Sequence, residues 1–250
     1  MKREFEKLRT GPFDLLVIGG GIYGAWIAYD AALRGLRVAI VEKEDWAAGT
    51  SSASSKLIHG GLRYLEHRHF GLVRRALDER RRLCRLAPHR MAPLRFVLPV
   101  YEGARAGRLR LKLGLWLYDR LGGKRQPVPR HESLARADFQ RDYPFIEQDR
   151  LRGGFTYGDV VTDDARYTLE IVDGAIGAGV VAVNRAEAHG LLQEFGRVAG
   201  ARIEDRETGK RIEVRATVPP TVPAPGVRIS CAARTRRRVS TRGSARACTW

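Results

Sequence analysis

Four glycines and one acid near the start of the chain have the types and spacing of a phosphate-binding turn. Gly19, Gly21 and Gly24 form the pattern G-x-G-x-x-G, Gly20 lies inside it, and Glu42 follows further along. The first glycine permits a tight turn, the second lets the backbone approach a pyrophosphate, and the third lets a helix pack closely on a strand. The acid can accept hydrogen bonds from the hydroxyls of an adenosine ribose. The pattern predicts a dinucleotide site, and a glycine turn of purely structural use is the alternative.

The elements that must position these residues follow one another in the required order. A short apolar strand is predicted over 14–18, a helix over 25–33 and a second strand over 38–41, at whose end Glu42 lies. Strand, helix and strand in this order predict a βαβ unit, in which the first N–H groups of the helix point at the phosphates. We therefore predict an α/β fold built on a Rossmann-like domain. This unit alone does not distinguish NAD from FAD.

A second polar stretch, residues 45–64, is dense in Gly, Ser and Thr and carries Lys56, His59 and Arg63. This composition predicts a loop. Because it directly follows the ribose-binding acid, the loop can fold back along a cofactor and offer hydroxyl and N–H groups to its phosphate and ring atoms. A flexible serine-rich linker is the alternative, although the apolar pair Leu57-Ile58 fits that interpretation poorly.

The segment 49–67, GTSSASSKLIHGGLRYLEH, closely resembles the signature of the FAD-dependent, quinone-linked glycerol-3-phosphate dehydrogenases. Segments 98–101, 114–119 and 163–166 also match this family, and the resemblance covers roughly residues 13–218. It implies a Rossmann-like FAD-binding domain with part of a mixed α+β substrate domain. It also implies bound FAD, oxidation of sn-glycerol 3-phosphate to dihydroxyacetone phosphate, and transfer of the electrons to quinone. Another FAD-dependent oxidoreductase of the same fold is the nearest alternative.

The resemblance also assigns residues to the substrate and to the cofactor. Arg63 and Tyr64 match the residues that face the substrate, with Arg63 as the phosphate contact, since a planar guanidinium matches phosphate oxygens. A surface arginine is the alternative for Arg63. His59 is a weak candidate for the general base, and a loop histidine bonded to backbone or flavin is the interpretation that we favour. The cofactor-binding positions are Gly19, Gly20, Gly21, Gly24, Glu42, Lys43, Thr50, Ser51, Ser55, Lys56, His59, Gly60 and Gly61.

The net charge of +17 is unevenly distributed, so it does not by itself predict a nucleic-acid partner. Residues 219–250 carry seven Arg and no acid, whereas residues 1–218 carry 38 basic and 28 acidic residues. Three scattered Cys without a C-x-x-C pair argue against a disulfide framework and against a metal site. The chain shows no secretory signal and no apolar run of the ~20 residues that span a bilayer, so a cytoplasmic location is expected. A second copy of the chain is a further candidate partner.

Three charged segments have both a structural and a functional interpretation, and we favour the structural one in each. Residues 105–121 are basic with interleaved Leu, Trp and Tyr, and they fit a strand or a helix packed on the domain. Such a stretch could also lie on an anionic membrane surface. The helix predicted over 70–86 has a charged face, including Arg80–Arg82, which is expected in solvent. Asp163 and Asp164 are predicted as a helix N-cap and a first-turn acid rather than a catalytic pair.

The end of the chain departs from the family. Pro219 and Pro220 are expected to end the last strand, and the residues after them have no apolar periodicity and are predicted to be disordered. We favour a shifted reading frame there, and a basic tail for nucleic acid or acidic lipid is the alternative. From the loss of the family's later part we expect weak or no FAD binding, poor stability and no turnover. The predicted segments are a leader (1–12), the FAD-binding βαβ core with the flavin loop (13–66), a helical and mixed insertion that starts the substrate region (67–178), a β-meander returning to the FAD domain (179–218) and a basic tail (219–250).

Overall fold

The computed structural model describes residues 1–104 and 106–221. Five α-helices and ten strands lie in these described ranges. They are β1 (Phe13–Ile18), α1 (Ile22–Leu33), β2 (Val38–Val41), β3 (Leu57–Ile58), α2 (Phe70–Leu86), β4 (Ala92–Tyr101), α3 (Arg108–Gly122), β5 (Glu132–Leu134), α4 (Arg136–Asp142), β6 (Leu151–Val161), α5 (Asp164–Gly177), β7 (Val181–Val183), β8 (Ala186–Glu194), β9 (Arg197–Asp205) and β10 (Arg211–Thr221).

The described residues form two compact units. The first combines residues 1–54 with 163–221, and the second consists of 55–162 apart from residue 105. The predicted segments divide the chain differently. The loop predicted over 45–64 is shared between the two units, and the end of the segment predicted over 67–178 belongs to the first unit.

The first unit is built on the predicted βαβ arrangement of β1, α1 and β2. Strand β1 runs parallel to β2 on one side and to β10 on the other, and β2 also pairs in parallel with β7. Leu16, Val17 and Ile40 in these strands are buried, as expected for strands covered on both faces. Helix α1 packs against α5, where the rings of Trp26 and Tyr167 meet edge to face. The predicted α/β, Rossmann-like fold is confirmed.

Strands β8, β9 and β10 form an antiparallel meander that joins the parallel strands through β10. The prediction that Pro219–Pro220 ends the last strand is wrong, because β10 continues to Thr221. Leu15 pairs with Val218 and Val17 pairs with Thr221, so the register shifts by one residue opposite the prolines. Prolines lack an N–H donor and are tolerated in a sheet at such irregularities. The rest of the predicted disordered tail lies outside the described residues.

The amino-terminal segment is part of the core, so the prediction of a solvated leader over 1–12 is wrong. Residues Phe5–Thr10 form a 3₁₀ helix that buries Phe5 and Leu8 in the core of the first unit. These two side chains are three residues apart, which places them on one face of a helix with three residues per turn. Arg3 adds an ion pair with Asp205, whose carboxylate is buried.

The second unit is built around β6, which pairs antiparallel with β3, β4 and β5. Helix α2 has the predicted bounds, and its residues Val73 and Leu77 pack with Tyr118 of α3. Of the two alternatives predicted within 105–121, the structure shows a helix over Arg108–Gly122. Leu115 and Tyr118 recur at helical spacing on its buried face. No helix within the described ranges is long and apolar enough to cross a membrane.

Helix α5 begins as the sequence predicts. Asp163 is its N-cap, and one carboxylate oxygen accepts the N–H of Arg166 at 3.2 Å. Asp164 follows in the first turn, where a negative charge is favourable at the positive end of the helix dipole. The two acids are therefore explained by the start of the helix.

Candidate cofactor-binding site

The glycine turn lies between the end of β1 and the start of α1. Gly19 has a φ of +119°, a conformation that L side chains rarely adopt, and its N–H donates to the carbonyl of Val41 at 2.8 Å. Gly21 is the N-cap of α1, and the helix begins at Ile22. The N–H groups of the first helical turn have no partners within the helix, so this end of α1 is suited to bind an anion.

Gly20 and Gly21 are adjacent, but the structure requires glycine only at the first of them. A Cβ added at Gly20 would lie 2.4 Å from Cε3 of Trp46 and 2.9 Å from Cβ of Glu42. A Cβ added at Gly21 would meet only Oγ of Ser51, at 3.4 Å, and the φ of −79° suits any residue. The space in front of Gly21 is thus left open by its protein neighbours, as a closely approaching phosphate group would need.

Glu42 and Ser51 hold the turn in place with hydrogen bonds from their side chains to backbone N–H groups. One carboxylate oxygen of Glu42 accepts the N–H of Gly20 at 2.7 Å, and the other accepts the N–H of Glu44 at 2.9 Å. Oγ of Ser51 accepts the N–H of Ile22 at 3.0 Å. Each carboxylate oxygen has a second lone pair, so Glu42 can hold the turn and still accept a ribose hydroxyl. That ribose contact stays a prediction.

The first unit therefore brings together Gly19–Gly21, Gly24, Glu42 and Ser51, with Gly24 buried in α1. Lys43 and Thr50, the other predicted cofactor residues in this unit, are exposed. The described residues contain no group of three or more His, Cys, Asp or Glu that could hold a metal ion. The donors and acceptors at this turn fit a dinucleotide.

The remaining predicted cofactor residues lie in the second unit, along the segment 55–61. Ser55 is exposed, and Lys56 has a φ of +60° and accepts the N–H of Thr162 on its carbonyl at 2.9 Å. Leu57 and Ile58 then pair with β6 as the short strand β3, so this part of the predicted loop is ordered by the sheet. Gly60 is buried, and Gly61 has a φ of +73°.

The predicted substrate residues follow in a short 3₁₀ helix, Leu62–Leu65. Arg63 is exposed, and Tyr64 is half-buried against the cluster of Val73, Leu77 and Tyr118. Their roles toward a substrate stay predictions.

His59 is half-buried, and its surroundings affect its protonation. Burial lowers the pKa of the His59 imidazole, and the negative charge of Asp159 opposes that shift. The ring is therefore neutral at neutral pH, which a proton acceptor requires. Its predicted roles, as a weak candidate for the base or as a loop residue beside the flavin, are both compatible with a neutral ring.

A buried ion pair in the second unit was not predicted from the sequence. Arg80, predicted in solvent, is 1% exposed, and its Nη1 lies 2.6 Å from Oδ1 of Asp159. Burial raises the pKa of the Asp159 carboxyl, and the charge of Arg80 opposes that shift. The signal was present in the sequence, because Val73, Leu77 and Arg80 follow one another at spacings of four and three, on one face of α2.

The chain matches the model of the FAD dependent oxidoreductase family over residues 14–245. The matched range includes the βαβ unit and the whole second unit. It also extends into the segment 219–250, which carries seven Arg and no acidic residue. Within this range lie the glycine turn, Glu42 and Ser51, whose donors and acceptors fit a dinucleotide.

Named relatives agree with the sequence resemblance. The chain is 46% identical over 215 residues to a glycerol-3-phosphate dehydrogenase of Mycobacterium leprae, covering 86% of this chain and 36% of that protein. It is 41% identical over 204 residues to the aerobic glycerol-3-phosphate dehydrogenase of Bacillus subtilis, covering 82% of this chain and 37% of that protein. The chain thus spans little more than a third of the length of these relatives.

Solved structures show the same fold. The glycerol-3-phosphate dehydrogenase of Bacillus halodurans, solved with FAD, matches with a TM-score of 0.62 and 31% identity, over 84% of this chain and 34% of that one. The L-proline dehydrogenase of P. horikoshii matches with a TM-score of 0.59 at 17% identity, over 80% of this chain and 50% of that one, which shows the fold alone. FAD is the cofactor for which the matched family is named. Given this match and a turn that fits a dinucleotide, the chain belongs to the FAD dependent oxidoreductase family.

Proposed function

We propose that this chain serves the FAD-dependent oxidation of sn-glycerol 3-phosphate to dihydroxyacetone phosphate, with quinone as the electron acceptor. The support is the similarity to named glycerol-3-phosphate dehydrogenases together with the segment 49–67, which carries the family's signature. Because the chain spans 36–37% of those relatives, the substrate and the acceptor are carried over as proposals.

The observation that carries the cofactor part of the proposal is the open space at Gly21. Glycine is required at position 19 by its positive φ and at position 20 by Trp46, but no protein neighbour requires it at position 21. A pyrophosphate lying against the backbone gives glycine a use there. The N-terminus of α1 would then supply N–H donors, and Glu42 would accept from the ribose.

The chain's own residues supply recognition and proton handling. Arg63 would bind the phosphate group, since its guanidinium offers two parallel donors to phosphate oxygens. Tyr64 would donate to a glycerol hydroxyl or to the phosphate. His59 is neutral and lies in the same segment, so it can hold a hydrogen bond to the flavin or accept a proton. FAD, when bound, supplies the acceptor for the hydride that leaves the carbinol carbon.

The test uses difference absorption spectroscopy on the full 250-residue chain at saturating FAD, without oxygen. Addition of sn-glycerol 3-phosphate is expected to perturb the flavin spectrum, whereas glycerol and glycine are expected to leave it unchanged, because Arg63 recognises phosphate. Perturbation by glycine instead would identify another FAD-dependent oxidoreductase. No response to any of the three would contradict the substrate proposal and leave FAD binding to be judged by itself.

A matched pair of variants assigns the phosphate contact. Arg63→Gln is expected to weaken the response to sn-glycerol 3-phosphate by about 10-fold or more, since a hydrogen bond to a charged group contributes about 1.5–3 kcal/mol. Arg75→Gln removes a similarly exposed arginine on α2 and is expected to leave the response unchanged. Equal responses of the two variants would argue that Arg63 is a surface arginine.

We extend the proposal to contact with an anionic membrane surface, where a quinone acceptor would be met. On α3 the side chains of Leu109, Leu113 and Trp116 are 81%, 63% and 52% exposed and recur at helical spacing. Exposed basic residues, Arg110 and Lys112, lie among them. A helix face with exposed apolar side chains and nearby cations suits the interface of a membrane that contains anionic lipids.

Vesicle sedimentation tests this contact. The chain is expected to sediment with phosphatidylglycerol vesicles, less with phosphatidylcholine vesicles, and less still when Leu113 and Trp116 are both replaced by Ala. Phe145→Ala, which removes an 83% exposed ring elsewhere in the same unit, is the control and is expected to change nothing. Equal sedimentation of the α3 variant and the control would remove α3 from the proposal.

A further inference from the structure

The ion pair of Arg80 and Asp159 is almost completely buried within the second unit. The two residues come from different elements, α2 and β6, and their exposures are 1% and 3%. Taking both charges out of water is costly, and replacing such a pair by apolar residues of similar size is often neutral or stabilising. The pair therefore calls for an explanation beyond stability.

The arginine is fixed in one orientation by its neighbours. Besides Asp159, its Nη1 donates to the carbonyl of Gly158 at 3.2 Å and to the hydroxyl of Tyr118 at 3.3 Å. Its Nη2 donates to Oε1 of Gln126 at 2.8 Å. A guanidinium bonded on both terminal nitrogens holds the partner carboxylate at a defined place and angle.

The carboxylate in turn holds the segment that carries the candidate site residues. Oδ1 of Asp159, the oxygen bound to Arg80, also accepts the N–H of Gly60 at 3.1 Å. The Gly60 backbone also packs closely against Tyr118 and Leu77. A Cβ at this position would lie 2.1 Å from the Tyr118 hydroxyl oxygen and 2.2 Å from Cδ2 of Leu77. Gly60 is thus fixed both by a hydrogen bond and by close packing.

Gly60 lies between the candidate site residues, with His59 on one side and Arg63 and Tyr64 on the other. His59 precedes it, and the turn at Gly61 leads directly into the 3₁₀ helix of Arg63 and Tyr64. Upstream, β3 contributes only two residues to the pairing with β6. The direction in which the chain leaves the sheet toward Arg63 is therefore set where Gly60 meets Asp159.

We propose that Asp159, oriented by Arg80, is the positioning residue of the segment His59–Tyr64. Its carboxylate fixes the Gly60 peptide and thereby sets the place of the residues before and after it. The proposal rests on the proposed function only for what Arg63 and Tyr64 bind. The positioning itself is a property of the folded chain.

Two matched double variants separate positioning from the removal of buried charge. In both double variants Arg80 is replaced by Met, and Asp159 is replaced by Asn in one and by Leu in the other. Both variants remove the two charges, but only Asn keeps an oxygen acceptor for the Gly60 N–H. Hydrogen exchange of the Gly60 amide, measured by mass spectrometry on the full chain, is the readout. The Leu variant is expected to exchange on the order of tenfold faster than the Asn variant, as for the loss of one hydrogen bond. Equal exchange in the two would overturn the proposal.

A second variant keeps the test decisive if a double variant fails to fold, which loss of protection in the amides of α2 would reveal. Gly60→Ala leaves the ion pair intact but places a methyl group against Tyr118 and Leu77. It is expected to raise exchange at residue 60 and to abolish the spectral response to sn-glycerol 3-phosphate. Gly71→Ala, whose Cβ meets nothing within 4 Å, is the control and is expected to change neither. Wild-type exchange in Gly60→Ala would overturn the proposal.

The two readouts separate the two claims. The exchange rate needs neither FAD nor substrate, so it decides the positioning role even if the wild-type chain shows no spectral response. In that case the proposed substrate fails and the positioning role stands or falls on exchange alone.

Discussion

The adjacent glycines at positions 20 and 21 should respond oppositely to the same substitution. In Gly20→Ala the new methyl group would lie 2.4 Å from Cε3 and 2.7 Å from Cζ3 of Trp46, whereas carbon atoms in contact are ordinarily about 3.5–4.0 Å apart. The overlap is therefore about 1 Å on two ring atoms. Trp46 is only 9% exposed, so the ring has little room to move.

The turn itself cannot shift cheaply either. The N–H of Gly20 is bound to Glu42 at 2.7 Å, and its carbonyl accepts the N–H of Ala47 at 2.9 Å. Overpacking of a filled site costs about 1–3 kcal/mol, and with both neighbours fixed we expect about 3 kcal/mol for Gly20→Ala. Gly21→Ala has room and a compatible φ, so we expect a change within about 0.5 kcal/mol.

Urea denaturation of the full chain measures both changes. A double-mutant cycle then tests the cause. Trp46→Ala alone should cost about 3–5 kcal/mol, but combined with Gly20→Ala the total should fall short of the sum by about 1–3 kcal/mol, because the ring is gone. Equal stabilities of the Gly20 and Gly21 variants, or strict additivity with Trp46→Ala, would refute this explanation of the turn.

Three further predictions concern the first unit. Leu8→Ala should destabilise the chain by about 2–5 kcal/mol in urea denaturation, because Leu8 is 1% exposed in the core, whereas a solvated leader would give no change. Asp163→Ala should cost about 1 kcal/mol through loss of the cap on α5, and Asp163→Ser should restore most of it. Burial alone would raise the pKa of Asp205, but hydrogen bonds, first that from Arg3, outweigh it and hold the pKa below the ordinary value of 3.8. Its contribution to stability should therefore be complete above about pH 4 and decline as the pH falls through the lowered pKa; in Asp205→Asn this part of the pH dependence of the melting temperature should disappear.

Local signals in the sequence predicted the elements that local interactions determine. The bounds of α2, Phe70–Leu86, and the N-cap role of Asp163 follow from periodicity and capping, and both agree with the structure. Contacts between distant parts of the chain were harder to predict. The burial of Leu8 depends on a sheet formed largely by later residues.

Arg80 and the two prolines show two different limits. The spacing of Arg80 places it on the apolar face of α2, but its charge predicted a position in solvent. It is buried because it pairs with Asp159, which is distant in the sequence. Pro219–Pro220 argued for a strand end by local rules, and the shift in the pairing of β1 with β10 accommodates them. In both cases the answer lay in the pairing of elements that the sequence does not place side by side.

Binding of FAD to the full chain decides whether the glycine turn is a cofactor site. Titration followed by quenching of FAD fluorescence should show weak, reversible binding to the wild-type chain that is competed by ADP, because the contacts proposed at the turn are to the pyrophosphate and the ribose. Gly21→Ala should weaken this binding by about tenfold or more while leaving stability unchanged, since its methyl group would occupy the space in front of the turn. Equal affinities of the wild type and Gly21→Ala for FAD would contradict the assignment of FAD to this turn.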